Sequence, residues 1–127
     1  MKDRSLDWLR QAQDDYLFAQ ESLDLGHYNQ ICFICQQAAE KALKAVAFFR
    51  GAQYVKSHSI VLIAKDLNIN SEVKQAGAIL DQYYISSRYP DGLPGGAPYE
   101  LFSKEQALDC LEKAKIILDK ASEQFSK

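Results

Sequence analysis

Residues Ile31 to Arg50 read ICFICQQAAEKALKAVAFFR, an uninterrupted run of strong helix formers without Gly or Pro. Ile31, Cys35, Ala38, Ala42, Ala45 and Phe49 recur at steps of four and three, which marks one face of a helix of period 3.6. The opposite polar stripe is narrow, with Gln36, Gln37, Glu40, Lys41 and Lys44, and the opening Ile31-Cys32-Phe33-Ile34-Cys35 has no polar residue. A helix apolar on nearly every side has to be covered on nearly every side, so this segment is expected to be the central post of a helical bundle. Glu40 and Lys44 stand i,i+4 in the favoured order, worth roughly 0.2–0.5 kcal/mol on an exposed helix.

The flanking sequence supplies the cover. A first helix is expected from about Ser5, as N-cap, to Leu25, with Gly26 as its stop and Trp8, Ala12, Tyr16, Ala19 and Leu23 turned inward. Asp14, Asp15 and Glu21 face outward or line a groove. The short link His27-Tyr28-Asn29 makes helices one and two antiparallel neighbours. After Gly51, Ser57 is expected to cap a short helix from His58 to Asp66. Ser71 is expected to cap a fourth that carries Val73, Ala76, Leu80 and Tyr83 inward and ends near Ser87. Tyr89 to Tyr99, YPDGLPGGAPY, holds all three prolines and three of the six glycines, and is read as a loop without helix. Ser103-x-x-Gln106 is a capping box opening a last helix with Ala107, Leu111, Ala114, Leu118, Ala121 and Phe125 inward. No strand pattern, internal repeat or low-complexity segment is present. The expected fold is all-α, one domain over residues 1–127, an up-and-down bundle of four long helices plus a short one.

The bulk numbers narrow the function classes. With 47% hydrophobic and 25% charged residues among 127, the chain is ordinary globular material with enough length for one core. A formal charge of −2 gives no general basic field, so any contact with nucleic acid or nucleotide has to come from a local cluster. The charged start Met1-Lys2-Asp3-Arg4-Ser5 runs straight into an amphipathic helix, no apolar run reaches membrane-spanning length, and three cysteines fit a reducing compartment, so a cytoplasmic protein is expected.

Several residues carry chemistry. Asp81, Tyr84 and Arg88 fall at i, i+3 and i+7 on one helix face, with Arg88 in the last turn before the Pro/Gly loop. Its guanidinium can hold a phosphate with Tyr84 stacking on a base or sugar. Equally, it can bond the open carbonyls of the helix end and pair with Asp81 or Asp91. Lys41 and Lys44, one turn apart, either neutralise a phosphate or are solvated charges whose stems cover apolar neighbours. His58 is either a helix-terminus hydrogen bonder or a ligand contact. Cys32-x-x-Cys35 lies within a continuous helical pattern, with no second cysteine pair and no His doublet, so it reads as core packing and not as a redox or metal pair. Neither a cofactor nor a metal is called for, and there is no phosphate-binding Gly-rich loop and no nucleophile elbow.

Four segments, in order, resemble the HEPN family, the small helical domains of higher eukaryotes and prokaryotes linked to nucleotide binding. They are Trp8-Leu9…Ala12…Asp15…Ala19, then Tyr28…Cys32-Phe33 with QQAAEKALKA at 36–45, then His58-Ser59, then Leu80-Asp81…Tyr84…Arg88-Tyr89-Pro90-Asp91. Many HEPN proteins are ribonucleases with Arg, four to six residues, then His. After Arg88 the three permitted positions hold Leu93, Pro94 and Gly95, so the general base of that pattern is missing and no catalytic residue is assigned. The Arg-Tyr-Pro-Asp form looks like the branch often paired with a separate minimal nucleotidyltransferase. The resemblance implies a homodimer, consistent with a surplus of apolar residues at Phe48, Phe49 and Tyr54. It also implies a nucleotide or RNA phosphate site made of Arg88, Tyr84, Lys41, Lys44, His58, Asp81 and Asp91. Two alternatives stand beside it: a ribonuclease toxin using Arg88 with Asp91 or a tyrosine, and a structural dimeric interaction protein.

Overall fold

The computed structural model describes residues 3–125. Met1 and Lys2 of the charged start lie outside the described residues, and so do positions 126–127. Seven helices make up the described chain: α1 (Ser5–Glu21), α2 (Tyr28–Phe49), α3 (Ile60–Asp66), α4 (Ser71–Asp81), α5 (Tyr83–Ser86), α6 (Pro98–Leu101) and α7 (Lys104–Gln124). No strand occurs among the described residues. The all-α bundle of four long helices holds, with three short helices where one was expected.

α2 is the central post. It packs against every other helix, most extensively α1 and α7, and fourteen of its twenty-two residues are buried. Ile31, Cys32, Cys35, Leu43 and Val46 join Leu80 of α4 and Ile117 of α7 in one contiguous core. The helix begins one turn before the expected Ile31, because the amides of Gln30 and Ile31 both bond the carbonyl of His27. The α1–α2 pair is the antiparallel hairpin the short link requires.

Several boundaries differ from expectation for local reasons. α1 ends at Glu21, and Leu23–Leu25 continues as a 3-10 turn before Gly26, whose φ is +83°. Ser5 is not its N-cap. Ser5 is buried inside the first turn, its amide donating to Asp3 Oδ1 at 2.8 Å. Leu9, not Trp8, is the buried residue at that turn: Trp8 is 36% exposed and leans its ring on Phe48 at 5.2 Å. Of the apolar surplus, Phe49 stacks on Phe125 at 4.6 Å while Tyr54 stays exposed.

α3 starts at Ile60, two residues later than expected, and its cap is Ser59, whose Oγ accepts from the Leu62 amide at 3.2 Å. Asn70, not Ser71, caps α4 through Oδ1 to the Val73 amide. The expected single helix to Ser87 lapses at Gln82, whose amide bonds Ile79 one residue short of the α pattern, and resumes as α5. The segment from Tyr89 to Tyr99 is not helix-free. Pro90–Gly92 forms a 3-10 turn, and α6 begins at Pro98 because proline's fixed φ suits a helix's first position. Glu100 closes that start by accepting from the Ala97 amide at 3.2 Å. The turn packs hard onto α5, where a Cβ added at Gly92 would lie 2.9 Å from Ser86 Cα. Ser103 and Gln106 make the capping box of α7 as read, with Ser103 Oγ accepting from the Gln106 amide and Gln106 Oε1 accepting from the Ser103 amide.

Candidate functional site

The site forms where the α5 end and the strap before α3 meet the polar edge of α2. Arg88 sits just past α5 and turns back on it. Its Nε and Nη2 both donate to the Tyr84 carbonyl, at 3.0 and 2.8 Å. That orphan carbonyl of the helix end fixes the guanidinium plane. Three rings surround the cation, with Cζ 4.3 Å from the centre of Phe33, 4.8 Å from Tyr84 and 5.0 Å from Tyr89. Among the described residues no carboxylate pairs with it, neither Asp81 nor Asp91, and Nη1 donates to no acceptor. An arginine stacked on aromatic faces but without a counter-ion keeps its charge available for an anion.

Asn29, in the first turn of α2, anchors the same corner. Its Nδ2 donates 3.0 Å to the carbonyl of the buried Ser87, and Ser87 Oγ in turn donates to the Tyr83 carbonyl. Asn29 Oδ1 has no partner among the described residues.

Tyr84 also carries the His58 ring, which stacks on the phenol ring at 5.4 Å and 14°. The residues behind it form a ladder along α2. Glu40 Oε2 lies 3.2 Å from His58 Nδ1 and accepts from Lys44 Nζ at 2.9 Å. Gln36 Nε2 donates to the His58 carbonyl at 3.1 Å. Gln36 is fully buried, and the Glu40 and Lys44 side chains are only 6% and 9% exposed. His58, Ser59, Asp81 and Tyr84 line a shallow groove of about 180 Å³. Asp81 is spent on the backbone: it accepts from Ser59 Oγ at 3.0 Å and from the amides of Ile60 and Val61 at 2.9 and 3.1 Å. A carboxylate at three donors of a helix N-terminus pins α3, and with it the His58-Ser59 strap, to α4.

The structure therefore brings Arg88, Tyr84 and His58 together, sets Asp81 and Lys44 behind them as supports, and leaves two sequence candidates elsewhere. Lys41 turns to α1, where Asp15 accepts from it at 2.6 Å, and lines a separate groove with Arg4, Asp7, Trp8 and Gln11. Asp91 is exposed on the turn beyond Arg88. Of the structural partners, Phe33 and Asn29 carry no sequence signal that separates them from packing and link residues. Gln36 does: it is a polar residue directly after five apolar ones. The three thiols, Cys32, Cys35 and Cys110, are all buried, and burial pushes Cys35 well above the usual thiol range. Among the described residues no cluster of His, Cys, Asp or Glu has the makings of a metal centre, and no helix is long and apolar enough to cross a membrane.

Known proteins place this architecture. The HEPN domain model matches residues 5–124. Among curated proteins the chain is similar to MJ1304 of Methanocaldococcus jannaschii, provisionally named a toxin, with 27% identity over 88% of this chain and 82% of that one. Among solved structures, TT1696 from Thermus thermophilus has 38% identity and a TM-score of 0.90 over 97% of this chain and 99% of its own. ST0689, an archaeal HEPN homologue, has 37% identity and a TM-score of 0.84 over 98% of each chain. The HEPN domain protein TM0613 of Thermotoga maritima has 30% identity and a TM-score of 0.76 over 95% of this chain and 98% of its own. A match over nearly the whole length, with relatives of this identity and the same fold, means that the chain belongs to the HEPN family.

Proposed function

We propose that this protein is a phosphate-binding HEPN module of a toxin-like system, taking a nucleotide or an RNA strand at Arg88 and acting beside a separate minimal nucleotidyltransferase. The observation that carries the reading is the Arg88 guanidinium itself, held by the Tyr84 carbonyl, stacked among Phe33, Tyr84 and Tyr89, and without a carboxylate partner among the described residues. The Tyr84 ring is taken up by the His58 ring and the Arg88 cation, so the 58% exposed His58 ring is the aromatic face open to a base or sugar next to that charge. Asp81 and Lys44 act from behind, Lys41 stays with Asp15, and Asp91 lies exposed on the turn beyond Arg88. The Arg-Tyr-Pro-Asp segment supports the partnered branch of the family, and the provisional toxin name of MJ1304 supports the toxin-like context. In this reading two copies associate through their helices, with the Arg88 corners opening to grooves beside the interface.

A thermal-shift panel of nucleoside mono-, di- and triphosphates and short RNA on wild type and Arg88→Ala tests it. A ligand at about 100 times its Kd stabilises by roughly 2.7 kcal/mol, several degrees for a domain of this size. A shift present in wild type and lost in Arg88→Ala is the expected result. Shifts that are equal in the two proteins would remove Arg88 from the site.

One observation favours a second reading, a ribonuclease. His58 backed by Glu40 is a general-base arrangement, and it involves neither Asp91 nor a tyrosine. RNA cleavage by wild type that is abolished in His58→Ala would establish it, and intact RNA after prolonged incubation would dismiss it.

A further inference from the structure

His58 is held at its backbone by Gln36 and at its ring by Glu40 and by stacking on Tyr84. Gln36 fixes its carbonyl, and Glu40 Oε2, which already accepts from Lys44, lies 3.2 Å from Nδ1. A carboxylate paired with a buried ammonium accepts hydrogen bonds and donates none, so Nδ1 has to carry the proton. In the neutral ring, Nε2 on the opposite edge then bears a lone pair. Because Nδ1 is turned to the buried Glu40 and the side chain is 58% exposed at the groove, that edge is the one left for a ligand.

The other polar groups of the groove are committed. Asp81 serves Ser59 Oγ and two amides, and Ser59 Oγ also accepts from Leu62. The groove therefore presents His58 Nε2, an acceptor, together with the Tyr84 hydroxyl. Both the His58 ring and the Arg88 cation lie against the Tyr84 ring, at 5.4 and 4.8 Å, so they are within about 10 Å of each other, a span that one nucleotide bridges from phosphate to sugar.

Resting on the phosphate-binding reading above, we infer that the site selects a ligand with a hydroxyl donor next to its phosphate, a ribonucleotide over its 2′-deoxy counterpart, and that His58 Nε2 reads this hydroxyl. Lys44 and Glu40 are positioning residues that set the tautomer. Glu40→Gln exchanges an obligate acceptor for a side chain that can donate to Nδ1, which moves the ring proton to Nε2 and turns the reader from acceptor to donor.

The test pairs two measurements. Long-range proton–nitrogen NMR of the imidazole reads the tautomer without ligand, and titration with a short single-stranded oligoribonucleotide and its deoxy counterpart, alongside adenosine 3′-monophosphate and its 2′-deoxy counterpart, reads the preference. Wild type should show the Nδ1–H pattern and bind the ribo form tighter by roughly 3- to 10-fold, the scale of one neutral hydrogen bond. In Glu40→Gln the pattern should move to Nε2–H and the preference disappear. Because that change opens a buried pair, His58→Phe serves as the second variant: it keeps a ring to stack on Tyr84, removes the acceptor and should bring the ribo and deoxy affinities together. An Nε2–H or doubly protonated ring in wild type, or equal affinity for the two sugars, overturns the inference while leaving phosphate binding intact. Wild type that binds none of the four ligands overturns the phosphate reading and this inference together.

Discussion

Lys44→Met should be among the most damaging single substitutions in the chain that touch no core hydrophobe. The Lys44 ammonium lies 2.9 Å from Glu40 Oε2, with side chains 9% and 6% exposed. At that separation, with an effective dielectric near 20, the attraction is roughly 6 kcal/mol, set against a desolvation cost of similar size. The pair is therefore worth little net, but removing one partner leaves the other buried and uncompensated, at about 3–5 kcal/mol. His58 on the same oxygen relieves part of this, so a loss near the lower end of that range is expected. Urea unfolding followed by far-UV circular dichroism would show the midpoint falling by about 1–2 M with an unchanged slope. The companion Glu40→Leu/Lys44→Met removes both charges and should recover to within about 1 kcal/mol of wild type, without restoring any ligand preference that depends on His58. A loss below about 1 kcal/mol for Lys44→Met would refute the view that these charges form a desolvated pair, and so would a double variant no more stable than the single one.

The other expectations concern alkaline pH and the Arg88 corner. Burial, then the neighbouring Cys32, raises Cys35 above the ordinary 9.0. Cys110 moves the same way through its hydrogen bond with Cys32 and then burial. The unfolded chain releases these protons near pH 9 while the folded chain keeps them. Stability should therefore be flat below that pH and fall above it, by about 2.7 kcal/mol per pH unit for two thiols. Tyr16 and Tyr83, raised from 10.0 by burial, steepen the fall further up. Urea midpoints that stay constant from neutral pH to about one unit above the ordinary thiol range would contradict the burial of these groups. Asn29→Ala leaves the buried Ser87 carbonyl without its donor, should cost about 1–3 kcal/mol, and should displace the Arg88 Nε–H resonance. An unmoved resonance would mean that the Tyr84 carbonyl alone holds the guanidinium.

What the sequence conveys well is what depends on neighbours along the chain. The step-of-four-and-three pattern of α2, the Ser103–Gln106 box and the α1–α2 hairpin are local signals, and each survives in the structure. The misplaced boundaries have non-local causes. On local grounds Ser57 is as good a cap as Ser59, but Asp81, from another helix, binds Ser59 Oγ and two amides at the α3 start. The site behaves the same way. Tyr84 and Arg88 share a helix end and are legible together, whereas Phe33, which supplies the ring closest to the cation, comes from the middle of an apolar run. Lys41 and Lys44 belong to one stripe by spacing, yet a small angular difference sends the first to Asp15 on α1 and the second beneath His58.

The polar stripe of α2 is where local logic and the fold disagree, and that disagreement points at function. The helix most enclosed by its neighbours is the one with most to gain from an apolar face, and its Ala, Leu and Val positions take that gain. Gln36, Glu40 and Lys44 lie on the same enclosed helix, each buried, each costing desolvation that a leucine would not. Their bonds do little for the bundle: they run along the helix to one another and to the adjacent Gln37, and out to the carbonyl and ring of a single exposed residue, His58. Bundle stability does not require that ladder. Placement of an imidazole beside Tyr84 and Arg88 does, which ties the least favourable residues of the core to the corner where an arginine keeps its charge free of any described carboxylate.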